Sequence, residues 1–343
     1  MKNASGKTSF RAQPLAIAIG AVGLALLSPT SFAADTITAA LTGGKVSANV
    51  RLRYEDVSDD AVINDGEALT LRTRLGYETA PFEGFTAVVE AEDTRTLFGI
   101  DDYAPERAGY AVIADPKDTE VNRAYLRYRG ISRLELGYGR QRINYDNQRF
   151  VGGVAWRQDE QTFDGLTALY TGITDVAINA AYLTQVNGIM PAFDSDNIED
   201  VLLNVSYNGF TWGKFSAYAY LLDHSDELDA TVNAGLRFDT NDTLGLRFDG
   251  AYMLPLTKPV KLLYTAEYAA QDFESTAGVE READYLFVEG GVNFIMPTMA
   301  LTAKLAYEEL GSDDGLYGFQ TPFGTKHAFN GWVDKFLVTP NSG

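Results

Sequence analysis

Arginine and glutamate recur at alternate positions along this chain. Arg51 and Arg53, then Arg72 and Arg74, stand two apart in runs whose other positions hold Val46, Ala48, Val50, Leu52 and Tyr54, or Leu69, Leu71, Leu75 and Tyr77. Arg123, Arg127 and Arg247 repeat the arrangement, as do the acids Glu55, Glu78, Glu90, Glu92, Glu267, Glu289 and Glu308. A guanidinium carries a planar fork of donors that grips carboxylate or phosphate at two points. A row of such groups on one side of a strand would guide anions, whereas arginines interleaved with glutamates would neutralise one another. The pattern admits both readings, with Glu90 and Glu92 the acids placed to quench the row. Regular alternation from Leu134, Leu136 and Tyr138 would carry Arg140 and Arg142 to the apolar side, unless a bulge at Gly137 or Gly139 returns them to the polar one. The segment that follows, 141–160, adds Arg149, Trp156, Arg157 and several acids. It is a candidate constriction, or alternatively a cap over the end of the fold.

Other chemistry has little to work with. There is no cysteine and there are two histidines, which removes disulfides, thiolate nucleophiles and Cys-ligated zinc and leaves no His-rich metal site. His224-Ser225-Asp226 is a local triplet rather than a triad, and both His224 and His327 fall in segments expected to be external and solvated. The acid pairs Asp59-Asp60, Asp101-Asp102 and Asp313-Asp314 could recruit divalent cations near lipopolysaccharide, or could simply be solvated. No catalytic residue, metal or cofactor is assigned.

The elements that must carry these residues are strands. Polar and apolar residues sort cleanly with a period of two in the segments 45–56, 68–80, 85–94, 120–129, 133–139, 161–171, 176–184, 200–208, 214–223, 243–253, 260–271, 284–294 and 299–309. A tilted strand of roughly ten residues crosses the hydrocarbon of a bilayer, and these runs have about that length. Short turns alternate with long acidic segments, the asymmetry of an outer-membrane barrel with short turns in the periplasm and long loops outside. Tyr77, Tyr128, Tyr207, Tyr252 and Phe294 near short turns, and Tyr54, Tyr182, Tyr268 and Tyr307 near long loops, would form two interfacial girdles. The stretch around 231–242 reads as either a loop hairpin or a further strand. An arginine facing lipid near the midplane costs about 2–4 kcal/mol, so the polar faces must line a lumen.

The start of the chain reads as an export signal, with an uncleaved anchor helix as the alternative. Lys2, Lys7 and Arg11 precede an apolar run at 15–27, and Ser31-Phe32-Ala33 places small residues where a Sec leader is cut. Cleavage after Ala33 would take the formal charge from −19 to −22, since it removes three basic residues and no acidic one. The domains expected are therefore a signal peptide at 1–33 and a transmembrane β-barrel at 34–343. Such acidity argues against nucleic-acid binding. An odd count of about thirteen strands, followed by a tail at 310–343 that reads as an external loop, is the pattern expected of a barrel whose closing strands lie beyond Gly343.

Six segments carry a family resemblance. Gly139-Arg140-Gln141-Arg142, the run from Asp146 through Val154 and the run from Trp156 through Asp164 are the most specific; Ala114-Asp115-Pro116, Gly318 through Pro322 and His327 through Phe336 extend it. Over most of the mature length the chain resembles the alginate-export family of outer-membrane porins, in particular its shorter members. The resemblance implies an all-β, eighteen-stranded barrel that passes an anionic polysaccharide or selects small anionic solutes. Against that pattern the chain stops about five strands short. The expectation is a porin-like channel in the bacterial outer membrane, in contact with lipid and lipopolysaccharide. Its solute contacts would be Arg51, Arg53, Arg72, Arg74, Glu90, Glu92, Arg123, Arg127, Arg140, Arg142, Arg149 and Arg157. A structural or adhesin barrel and an outer-membrane lipid hydrolase are the alternatives; conductance would separate the first from a porin, and hydrolysis dependent on His224 would support the second.

Overall fold

The computed structural model describes residues 34–226, 238–255, 259–331 and 337–343. The expected leader at 1–33 and most of the ambiguous stretch near 231–242 lie outside them; of that stretch, Thr240–Asp242 belong to a strand.

Thirteen antiparallel strands form a single sheet in chain order. They are β1 (Lys45–Val57), β2 (Gly66–Glu78), β3 (Phe85–Asp102), β4 (Asp118–Tyr128), β5 (Leu134–Gln141), β6 (Thr162–Tyr170), β7 (Val176–Asn187), β8 (Ser195–Phe210), β9 (Gly213–Asp223), β10 (Thr240–Leu254), β11 (Val260–Glu274), β12 (Glu280–Ile295) and β13 (Ala300–Leu310). Each corresponds to one run of alternating residues. Several extend past it, as where β3 continues to Asp102 and β12 begins at Glu280. Pairing satisfies backbone donors and acceptors whatever the side chains do, so the ladder outlasts the hydrophobic pattern that announces it. A short helix, α1 (Ile37–Thr42), precedes the sheet; the Thr36 hydroxyl caps it by accepting from the Ala39 N–H.

The two faces are inverted relative to a soluble sheet. Val46, Val50, Leu75, Tyr138, Leu244 and Leu305 are exposed, while Thr70, Arg72, Arg74, Thr86, Glu90 and Glu92 are buried. A contiguous apolar face of this extent belongs in hydrocarbon, and the polar face turns inward. Of the expected girdle residues, Tyr54, Tyr182, Tyr207, Tyr252, Tyr268, Phe294 and Tyr307 are on the exposed set.

Two segments fold against the inner face. One is the β5–β6 connection, 142–161. The other follows β13 and contains β14 (Ser312–Asp313), β15 (Tyr317–Gly318) and α2 (His327–Asn330). The tail read as an external loop is thus in part an internal element, with Tyr317, Phe319 and Phe323 buried. The reason is aromatic content: each such ring is worth about 1.5–3 kcal/mol when fully withdrawn from water. Phe150 of the connection meets Tyr285 and Phe319 edge-on at 5.2 and 5.9 Å, which joins the connection, β12 and the tail in one cluster. The same folding-in corrects the reading of both histidines as solvated. His224 is buried against Phe238, with ring centroids 4.5 Å apart, and His327 is buried in a stack on Trp156 at 3.9 Å.

Gly139 adopts φ 119°, where a side chain is strained, and an added Cβ would lie 2.3 Å from the Ala124 carbonyl oxygen. Gly290 on β12 has open space around the same position. Gly139→Val should therefore lower stability to denaturant by about 1–3 kcal/mol. Gly290→Ala should change it by less than about 0.5 kcal/mol or raise it. Equal behaviour of the two variants in a denaturant titration of the detergent-folded chain would contradict this account.

Candidate functional site

The β1–β2 register sets Arg51 directly opposite Arg72, and Asn49 opposite Arg74. Like charges facing each other across a ladder repel, so something must bridge them. The bridge is the β5–β6 connection. Arg51 donates from Nε to the Gln158 side-chain oxygen at 2.7 Å, from Nη1 to the Ala155 carbonyl at 3.0 Å, and from Nη2 to the carbonyls of Trp156 and Arg157. Arg72 donates to the Gln158 carbonyl at 3.0 Å and to the Asn49 side chain at 2.5 Å. Gln158 is fully buried. Its amide donates to the Thr70 hydroxyl at 2.7 Å, and its backbone N–H donates to Asp115 Oδ1 at 2.7 Å.

Arg53 and Arg74 flank that pair and are compensated by acids. Arg53 pairs with Glu55 at 2.5 Å and Asp115 at 3.4 Å, and its Cζ lies 4.0 Å over the Trp156 ring. Arg157 reaches the same Glu55 at 3.1 Å. Arg74 pairs with Glu92 and, at 3.4 Å, with Glu160. The quenching of Arg74 by Glu92 follows from their being register partners on β2 and β3. By contrast, Arg51 and Arg72 have no carboxylate within ion-pair distance among the described residues.

A bulge extends the network. The β3–β4 register shifts between Glu90 and Ala91, which leaves Asn122 as the extra residue on β4. Asn122 and Arg123 then both reach Glu90, at 3.0 Å and 2.6 Å. Arg142 joins from the connection, pairing with Glu90 at 3.0 Å and with Glu160. Of the twelve residues singled out in the sequence, nine meet here: Arg51, Arg53, Arg72, Arg74, Glu90, Glu92, Arg123, Arg142 and Arg157. Three do not. Arg127 pairs with Glu78 at 2.6 Å, Arg140 with Asp164 at 2.9 Å, and Arg149 with Glu308 on β13 at 2.8 Å.

Beside the network, Asp118, Glu120 and Asp159 bring carboxylate oxygens within 4.8 Å of one another. Burial, and then the negative charges of Glu120 and Glu92, push the Asp159 carboxyl up to about 9. A proton shared in this corner relieves the repulsion.

Gln158, Asp115, Glu160 and Asn122 were not assigned a role from the sequence. The first three lie in the runs that carry the family resemblance, which was the available signal; Asn122 depends on a bulge that alternation does not announce. The acid pair Asp101-Asp102 is compensated in the structure: Arg107 and Lys117 both reach Asp101, at 2.8 and 3.3 Å, and Arg107 also pairs with Asp102.

A sequence profile described as alginate export matches residues 44–336. Among solved structures, the fold is similar to OccAB1 of Acinetobacter baumannii at a TM-score of 0.59 and 12% identity, covering 84% of this chain and 71% of that one. It is similar to a BenF-like porin from Pseudomonas fluorescens Pf-5 at 0.59 and 13%, covering 80% and 69%. It is also similar to Pseudomonas aeruginosa OpdK, solved with vanillate, at 0.57 and 13%, covering 80% and 68%. No match is found among curated protein sequences.

Two outcomes test the geometry. Gln158→Ala removes the bridge between Arg51 and Thr70 and strands the Arg51 Nε donor and the buried Thr70 oxygen that accepted from the amide, at a cost of about 1–3 kcal/mol. It should speed tryptic cleavage after Arg157 in the folded chain; unaltered cleavage would mean that Gln158 does not hold the connection. The second outcome concerns pH. The folded-state pKa of Asp159 lies above its ordinary value of 3.8, so its protonated form stabilises the docked connection. That contribution is complete below about pH 4 and is lost as pH rises through about 9. Cleavage after Arg157 should therefore accelerate between pH 7 and 10, and Asp159→Asn should flatten the dependence.

Proposed function

Because this chain belongs to the alginate-export family and has the fold of outer-membrane porins, it is an outer-membrane channel for passive solute transport, and we propose that it favours anions carrying carboxylate groups. The observation that supports this reading is the pair Arg51 and Arg72. Both are inner-face cations whose donors go to backbone carbonyls and neutral side chains, not to acids. Hydrogen bonds to carbonyls hold a guanidinium in place without cancelling its charge. Arg53, Arg74, Arg123, Arg142 and Arg157 then act as a compensated surround, with Glu90 and Glu92 fixing their positions. Arg127, Arg140 and Arg149 line the same inner side in this reading.

The acidic total of the chain does not oppose this, because screening at physiological salt limits exposed charges to about 8 Å. Vanillate, present in the OpdK structure, is an aromatic carboxylate and illustrates one size of solute. Short uronate-containing oligosaccharides, with a carboxylate on each ring, are the other class suited to such a surface. The outer apolar band meets lipid, and the acidic loops at the rim face lipopolysaccharide. Transport in this reading needs no chemistry: His224 is held by Asp200 at 3.4 Å and packed against Phe238 and Phe323, and His327 is stacked on Trp156.

Planar-bilayer recording in a salt gradient tests the reading. The wild-type channel should reverse at a potential that marks anion preference. Arg51→Gln with Arg72→Gln keeps amide donors for the loop carbonyls while removing two charges, and should move the reversal potential toward cations. A wild-type channel that already prefers cations, or a double variant with an unchanged reversal potential, would overturn the proposal.

A further inference from the structure

Most arginines of the inner side have spent their donors, but Arg149 has not. Its side chain is fully buried. Only Nε is engaged, donating to Glu308 Oε1 at 2.8 Å, and that oxygen also accepts from the Tyr285 hydroxyl at 2.8 Å. Among the described residues, neither Nη1 nor Nη2, both buried, has a hydrogen-bond partner. A guanidinium withdrawn from water with its terminal edge unmet is a costly arrangement that a ligand would relieve.

A second cation makes the case stronger. Lys326 lies close enough for the Arg149 charge to act on it, and burial together with that charge lowers its pKa to about 8. No acceptor meets its ammonium among the described residues. Among the described residues, Arg149 and Lys326 contribute two positive charges and Glu308 one negative, which leaves an excess of one positive charge.

The backbone keeps these parts in place. Thr325 donates to the Gln148 carbonyl at 2.8 Å, and Gly152 donates to the Phe323 carbonyl at 2.9 Å, so the segment just before Lys326 is stitched to the chain on either side of Arg149. The Phe329 ring lies 5.0 Å from the Arg149 Cζ. Lys326 and Phe329 each keep part of their surface exposed.

We propose that Arg149 and Lys326 form a binding site for one carboxylate group of a solute. The two Nη atoms present parallel N–H groups to the two carboxylate oxygens, and the ammonium takes a second contact on one of them. The Phe329 ring offers an apolar neighbour to a carboxylate borne on a ring. The site deepens the anion-preferring reading and rests on it for the identity of the solute.

Arg149 itself is a poor test position, because replacing it strands Glu308. Lys326 has no such partner. Isothermal titration of the detergent-folded full chain with benzoate, in a buffer of low chloride, reads the site directly. Wild type should bind benzoate and not benzamide; Lys326→Gln should weaken binding by about tenfold or more, and Lys326→Arg should retain it within about threefold. Equal affinity in Lys326→Gln, equal binding of benzamide, or displacement by equimolar chloride would overturn the assignment. The reversal potential of the same preparation separates the two proposals. Anion preference with no Lys326-dependent benzoate binding removes the site and leaves the channel reading. Cation preference with Lys326-dependent binding does the opposite.

Discussion

Two guanidinium groups face each other across β1 and β2, and the interior is arranged around that repulsion. Arg51 and Arg72 cannot turn outward, since an arginine in hydrocarbon costs about 2–4 kcal/mol near the midplane. Nor do acids neutralise them, because the adjacent carboxylates are committed to Arg53 and Arg74. What remains is the dipole of the peptide group. Carbonyls of residues 155–158 supply it, and in doing so fix where the β5–β6 connection must run. Once the connection lies there, Arg142 and Glu160 fall beside Glu90, and Arg149 reaches β13.

The connection accepts local strain to make these contacts. Val154 sits at φ 50°, an unusual conformation for a β-branched residue, immediately before the carbonyls that Arg51 collects. Asp146 and Gln148, also at positive φ, shape its other limb. Asp146 is held by Lys214 at 2.7 Å and by Asn204 at 2.7 Å, so that limb is tied to β8 and β9 while the Gln158 limb is tied to β1 and β2. A segment anchored at both ends to different strands spans the inner face. Its position follows from charge pairs on the wall and not from its own secondary structure.

The legibility of the sequence divides along the same line. All thirteen strands were readable, because a period of two is a local signal and each strand carries its own copy of it. The inward face of Arg51, Arg53, Arg72 and Arg74 came with it. The partners of those arginines were not readable. Arg51 meets Ala155 across 104 positions and Gln158 across 107, and Arg149 meets Glu308 across 159. Nothing in the local pattern of a Gly-, Asp- and Arg-containing loop says whether it extends into water or folds back. The tail misled for the same reason. Its Gly, Pro and Asp residues read as a loop, while Phe319 and Phe323, spaced four apart, were the residues that decided its position. Arg140 shows the intermediate case: the glycine that permits an irregular backbone was identified, at Gly139, but Asp164 as its partner depended on the β5–β6 register.

A channel needs sites that attract a solute and still release it. The two kinds of inner arginine answer that need differently. At Arg51, and at the Nη atoms of Arg72, the donors are already given to backbone or side-chain carbonyls, so in the proposed reading a passing carboxylate feels the charge but finds few free N–H groups. Such residues act through their field, which falls off smoothly and leaves the solute mobile. At Arg149 both Nη atoms are unspent among the described residues, so in the proposed reading an anion there makes contacts instead of merely sensing a potential. Contact gives discrimination by shape, because a fork distinguishes a planar carboxylate from a sphere of the same charge. If both proposals hold, the same residue type sets attraction in one place and recognition in another. What distinguishes them is the company each side chain keeps: carbonyls from a neighbouring loop in one case, and an unfilled edge beside a second cation in the other.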